Sequence, residues 1–111
     1  MCGIAGIISL NGSKVENGSA RVKVMLDFMK HRGPDGCGIY ESKNKKVILG
    51  NNRLAITDPG FEIKGPFSID NKDHVISYNG EIYDYINQSN KVKAQGVKLR
   101  SNTDTEVLIQ G

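Results

Sequence analysis

The order of apolar and polar positions along the chain predicts a mixed α+β fold. Residues 2–9, CGIAGIIS, form a small apolar run that reads as a buried strand. Asn11, Gly12 and Ser13 follow as a turn. Val22, Met25, Leu26 and Met29 then recur at i, i+3, i+4 and i+7, the spacing of one helix face. Lys30, His31 and Arg32 suit the negative end of that helix, and Gly33-Pro34 stops it. Segments 37–41, 46–50 and 52–57 read as short strands. Residues 58–66 contain Pro59, Gly60, Gly65 and Pro66 and read as a loop. Residues 74–78, HVISY, are a β-type run that ends at Asn79-Gly80, a strong hairpin signal because both residues accept positive φ. EIYDY, residues 81–85, is the expected returning strand. Thr103 and Glu106 have capping-box spacing, so a helix is expected there, with Val107, Leu108 and Ile109 on its apolar side. The sequence stops after two turns of it. A helix this short is marginal alone, and the chain is therefore expected to end inside a domain.

The chain has 111 residues, which suits one domain. The apolar fraction of 38% is compatible with one core. Net charge is +3, with acidic residues interspersed among Lys and Arg. Nucleic-acid binding needs a more concentrated basic patch, so no nucleic-acid partner is expected. No apolar run approaches the roughly 20 residues that span a bilayer, and no signal peptide is visible, so the expectation is a cytoplasmic protein without a membrane partner. The cysteines are Cys2 and Cys37 and the histidines His31 and His74. They form neither a C-x-x-C nor an H-x-x-x-H pair, which argues against zinc, and no metal site is expected. Without an export signal a disulfide is not expected either.

Cys2 carries the most distinctive chemistry. Methionine is readily trimmed when the next side chain is small. Removal of Met1 places a free α-amine and a thiol on one residue. An α-amine has a pKa of about 7.7–8.0 and is partly neutral near pH 7. It can take the thiol proton, as N-terminal amines do for nucleophilic Thr, with no histidine partner required.

The stretches MCGIAG at 1–6, HRGPDG at 31–36, RLAIT at 53–57, YNGEIY at 78–83 and SNTDTE at 101–106 stand together in one order and spacing. In that arrangement the whole chain resembles the class II glutamine amidotransferases, which are N-terminal-nucleophile hydrolases. HRGPDG and NGEIYDY resemble the asparagine synthetase branch most closely. The resemblance implies an αββα sandwich, incomplete at its C-terminal end, with residues 1–111 as the N-terminal portion of the domain.

It also implies a glutaminase half-reaction that passes through a thioester on Cys2. Asn79 and the backbone N–H of Gly80 would then form the oxyanion hole. Arg53 would clamp the α-carboxylate of glutamine, and a guanidinium can do so bidentately. Asp104 would meet the α-ammonium. Ile56, Thr57 and Glu81 would line the same pocket. His31, Arg32 and Asp35 would support and cover the site without transferring protons, with His31 structural or capping. Cys37 is expected to be inert core and His74 exposed. The implied partners are glutamine and a synthetase domain or subunit that receives ammonia, with a homodimer possible. ATP and Mg are expected only in that synthetase domain, so no cofactor is expected in this chain. The alternative is a catalytically incomplete fragment that acts as an interaction or regulatory module. Two departures from the family pattern stand out: Gly65-Pro66 where Gln-Pro is usual, and Asn52 where His or Glu commonly precedes the Arg-Leu pair.

Overall fold

The computed structural model describes residues 2–54, 65–69, 74–101 and 103–111. Two antiparallel sheets and three helices make up the described chain. The first sheet has strands β1 (Gly3–Ile8), β2 (Gly36–Glu41) and β3 (Val47–Arg53), in the order β1-β3-β2. The second is a short pair, β4 (Phe67–Ser68) and β5 (Val75–Ile76). Helix α1 is Gly18–Phe28, α2 is Tyr85–Ala94 and α3 is Asp104–Gln110.

Helix α1 lies on one face of the three-stranded sheet. Val22 and Leu26 of α1 and Ile48 of β3 are fully buried between them, with Ala5, Ile7, Val15, Met29 and Ile39 packed around. Each such side chain contributes about 1.5–3 kcal/mol of burial. Of the four residues on the expected helix face, Val22 and Leu26 form the centre and Met29 the rim, whereas Met25 is exposed at the edge. The close approach of helix and sheet depends on small residues. A Cβ at Gly50 would stand 2.7 Å from Val22 Cγ1 and 2.9 Å from Leu26 Cδ1. One at Gly18 would stand 2.5 Å from Ile48 Cδ1. That contact explains why the first residue of the helix is a glycine.

Helix α1 ends at Phe28, before the expected stop, and a 3-10 turn at Lys30–Arg32 carries the chain on to Gly33 and Pro34. Gly12 has a positive φ within the expected turn, where Asn11 Oδ1 accepts hydrogen bonds from the Ser13 N–H and the Ser9 hydroxyl. Three expectations need correction. The 2–9 segment is a half-buried edge strand, with Ile4 and Ile8 exposed. The two short strands expected at 46–50 and from 52 onward are one central strand, β3, paired on both sides. The expected hairpin at Asn79-Gly80 is absent. Neither residue has a positive φ, β5 pairs with β4, and Tyr85 opens helix α2 where EIYDY was read as a strand.

Tertiary contacts override the turn signal there. The Ile82 N–H donates to Asp104 Oδ2 across to α3, not to a neighbouring strand. Helix α2 was missed because it has little apolar periodicity. Only Ser89 and Val92 are buried on it, against α3. Helix α3 in turn contacts β4 and β5. Residues 55–57 of the expected third strand and 58–64 of the expected loop lie outside the described residues. No helix among the described residues is long and apolar enough to cross a membrane.

Asn52 ties the layers together. It is 2% exposed, and its Nδ2 donates to the carbonyl of Leu26 near the end of α1 at 2.7 Å. The same carbonyl also accepts the Met29 N–H at 3.0 Å, so Asn52 supplies its second donor at the end of the helix. Asn52→Leu removes that one hydrogen bond and is expected to lower stability by about 0.5–1.5 kcal/mol, read from the denaturant midpoint. An unchanged midpoint would contradict the tie.

Candidate active site

Side chains alternate between the faces of a sheet. Ile48, Gly50 and Asn52 of β3 face α1. Asn51 and Arg53 therefore face the other way. β1 pairs with β3 so that Gly3 lies opposite Asn52 and Ile4 opposite Asn51. Continued by one residue, this register brings Cys2 beside Arg53 on the face away from α1. There a cavity of ≈ 430 Å³ opens, lined by Cys2, Arg53, Leu54, Asn79, Gly80, Glu81 and Asp104. Its remaining wall includes Asn51, Gly65, Ile76, Tyr78, Tyr83, Thr103 and Thr105.

The sulfur of Cys2 is held at the mouth of β3. The Leu54 N–H points at Sγ, with 3.5 Å between nitrogen and sulfur. Arg32 Nε donates to the Cys2 carbonyl at 3.3 Å. The HRGPDG loop thus reaches the first residues of the chain. It also braces β3 at Arg53: the Asp35 N–H donates to the Arg53 carbonyl at 2.9 Å, and Pro34 bridges to Arg53. Gly33 makes this possible, since a Cβ there would sit 2.7 Å from the Arg53 backbone nitrogen. His31 is exposed and has no hydrogen-bond partner among the described residues, so it caps nothing there. His74 is exposed, as the sequence suggests.

Cys37 overturns its expectation as well. It is exposed, because β2 is an edge strand and leaves that end of the row uncovered. Of the two cysteines, Cys2 alone lines the cavity, and both are free thiols. Ile56 and Thr57 lie outside the described residues.

The opposite wall comes from the 76–83 segment and the start of α3. A Cβ at Gly80 would stand 2.7 Å from the Tyr78 hydroxyl, so the glycine lets the backbone fold against the ring. Burial raises the pKa of Tyr78, and Asp104, Glu81 and Tyr83 push it the same way. Tyr78 is therefore a neutral phenol at physiological pH and can donate a hydrogen bond. The sequence motif contains this tyrosine, but nothing in its spacing assigns it to the cavity.

The two family departures have local explanations. Gly65 packs on β2 so closely that a Cβ would lie 2.5 Å from the Cα of Gly38. A longer side chain at that position would need a different path. Asn52 is buried on the α1 side, away from the cavity.

Glu106 holds the turn that leads into Asp104. The sequence expects a reciprocal capping box, and α3 does begin after Thr103 in an extended conformation. Thr103 makes no side-chain cap, however. The fully buried Glu106 carboxylate instead accepts the Arg100 N–H at 2.8 Å, the Ser101 N–H at 2.7 Å and the Ser101 hydroxyl at 2.6 Å. Arg100 then spans to the second sheet, donating to the Ser68 carbonyl at 2.8 Å with its guanidinium 5.0 Å from the centre of the Phe67 ring.

Comparisons with known proteins show the family of the chain. The family model described as "Glutamine amidotransferase domain" matches residues 1–111. The chain belongs to that family. It is 34% identical, over 99% of its length, to a putative glutamine-hydrolysing asparagine synthetase 2 of Methanocaldococcus jannaschii, covering 23% of that protein. It is 33% identical, over 98% of its length, to asparagine synthetase 1 of Bacillus subtilis, covering 17% of it. It is also 36% identical to the amidase chry2 of Gibberella zeae, over 98% of this chain and 17% of that one. The chain thus spans about a fifth of the length of these relatives. No solved structure gives a significant match.

Glu106→Gln removes the charge from a carboxylate that satisfies three donors. It is expected to cost about 1–3 kcal/mol in chemical denaturation. A neutral outcome would mean that the 100–101 turn holds without it.

Proposed function

We propose that this chain carries the glutaminase half of an amidotransferase, with Cys2 as its nucleophile after Met1 is removed. The observation that carries the reading is the convergence of Cys2, Arg53, Asn79, Gly80 and Asp104 on one cavity, with the sulfur on the Leu54 N–H. The cavity volume falls within the range of about 300–1,000 Å³ typical of small-molecule sites. The packing of α1 on the three-stranded sheet and of α3 on the two-stranded pair supports the two helical layers of an αββα sandwich. Residues 1–111 would then be the N-terminal portion of such a domain.

In this reading the Cys2 α-amine takes the thiol proton. The sulfur forms a bond to the side-chain amide carbon of glutamine. Negative charge develops on the amide oxygen, where the Asn79 side chain and the Gly80 N–H donate. Removal of one such donor typically costs about 2.7–4 kcal/mol of barrier. The carbon–nitrogen bond then breaks, ammonia leaves with the proton from the α-ammonium of Cys2, and a thioester remains. Water adds to the thioester, giving its proton to the amine, and glutamate and the thiol are released.

Arg53 supports substrate binding through the α-carboxylate and Asp104 through the α-ammonium. One oxygen of Asp104 already accepts the Ile82 N–H, which fixes the carboxylate toward the cavity wall. Glu81 adds negative charge to the same end, and the backbone at Ile56 and Thr57 would complete it. In a whole protein the ammonia would pass to a synthetase domain. Two of the three relatives described are named as asparagine synthetases, which favours asparagine as the product.

Cys2→Ala is expected to abolish glutamine hydrolysis. Arg53→Ala is expected to raise KM for glutamine with a smaller effect on kcat, measured by glutamate release, and an unchanged KM would count against the carboxylate clamp. Labelling tests the nucleophile independently. A glutamine-analogue electrophile is expected to modify Cys2 and spare Cys37, although Cys37 is the more exposed thiol. Modification of Cys37 alone would contradict the assignment.

A further inference from the structure

Asn51 is 7% exposed, lines the cavity, and sits on the central strand beside the proposed substrate site. Its Oδ1 is buried and has no hydrogen-bond partner among the described residues. The register explains why: its cross-strand neighbours are Ile4 and Gly38, and neither side chain can donate. Buried polar atoms are overwhelmingly paired, and an unpaired one in a cavity wall calls for a donor from the ligand.

Bound glutamine brings such a donor. Its carboxylate, ammonium and amide oxygen have partners in Arg53, Asp104 and the Asn79–Gly80 pair. The two N–H groups of its side-chain amide have none assigned. We propose that Asn51 Oδ1 accepts a hydrogen bond from the carboxamide nitrogen of glutamine, the leaving group, and so selects an amide over an ester. The assignment rests on the glutaminase reading above. Asn51 lies two residues from Arg53 on one strand face, about 7 Å along the strand. That offset lets one substrate reach both.

The test compares glutamine with the γ-methyl ester of glutamate, which has no N–H at the leaving group. It uses the intact native protein and Asn51→Leu, a near-isosteric change that removes the acceptor. The kcat/KM for glutamine is expected to fall about 5- to 150-fold, the span that an unpaired buried group produces. Ester hydrolysis is expected to hold, and the melting temperature to stay level or rise, since the free protein loses an unsatisfied atom. Asn51→Ala, which cannot overpack, is expected to give the same shift in the glutamine-to-ester ratio, and this ratio does not depend on the fraction folded. Equal losses on both substrates would place Asn51 in the service of Cys2 or of the fold and overturn the proposal. No loss on either would overturn it too. A native protein that hydrolyses neither compound would instead remove the glutaminase reading itself.

Discussion

The antiparallel pairing of β1 with β3 decides where the first residues of the chain lie. Gly3 stands opposite Asn52, so Cys2 reaches the end of β3 beside Arg53 and Leu54. A slip of one residue would send every side chain of β1 to the opposite face. The register is held because Ala5 and Ile7 must face α1, whose buried Val22 and Leu26 meet them across the sheet. Packing on one face of the sheet thus fixes chemistry on the other. The HRGPDG loop adds a second restraint from the end of α1, through Arg32 to Cys2 and through Gly33 and Asp35 to Arg53.

The far wall of the cavity is built by different means. Here the apolar core is thin, with Phe67, Val92 and Val107 the buried apolar residues. Polar bonding takes over. Glu106 gathers the 100–101 turn, Arg100 joins that turn to β4, and Asp104 holds the 79–82 segment through Ile82. The Glu106 and Asp104 bonds are buried or half-buried, where an unmade partner costs more than a made one contributes, and the Arg100 bond to β4 is exposed. The two walls meet over the cavity that is proposed to take glutamine.

Much of this was legible in the sequence, for reasons that differ by segment. Helix α1 was readable because Val22, Leu26 and Met29 repeat with helical period, whereas its end at Phe28 comes before Gly33-Pro34, with a 3-10 turn between. The starts of β1 and α3 were readable from the apolar run and from Thr103 with Glu106. The proposed site residues other than Ile56 and Thr57 came from the motifs, and these six, Cys2, Arg53, Asn79, Gly80, Glu81 and Asp104, do line one cavity. The hairpin was not readable. Asn79-Gly80 carries a strong local turn signal, and only the contact of Ile82 with Asp104, over twenty residues away, redirects the chain into α2. Likewise nothing local distinguishes Glu106 as a capping residue from Glu106 as a buried acceptor. Cys37 was misread because burial depends on the strand order, which composition does not reveal. Asn51 drew no notice because an unpaired atom is a property of neighbours in space.

The central claim is that the working base is the α-amine of Cys2 itself. The most direct measurement is glutamate release by two forms of the protein, separated by intact mass: one with Met1 removed and one with Met1 retained. The account expects turnover in the first and none in the second, with both forms folded. Equal turnover by the form that keeps Met1 would contradict it.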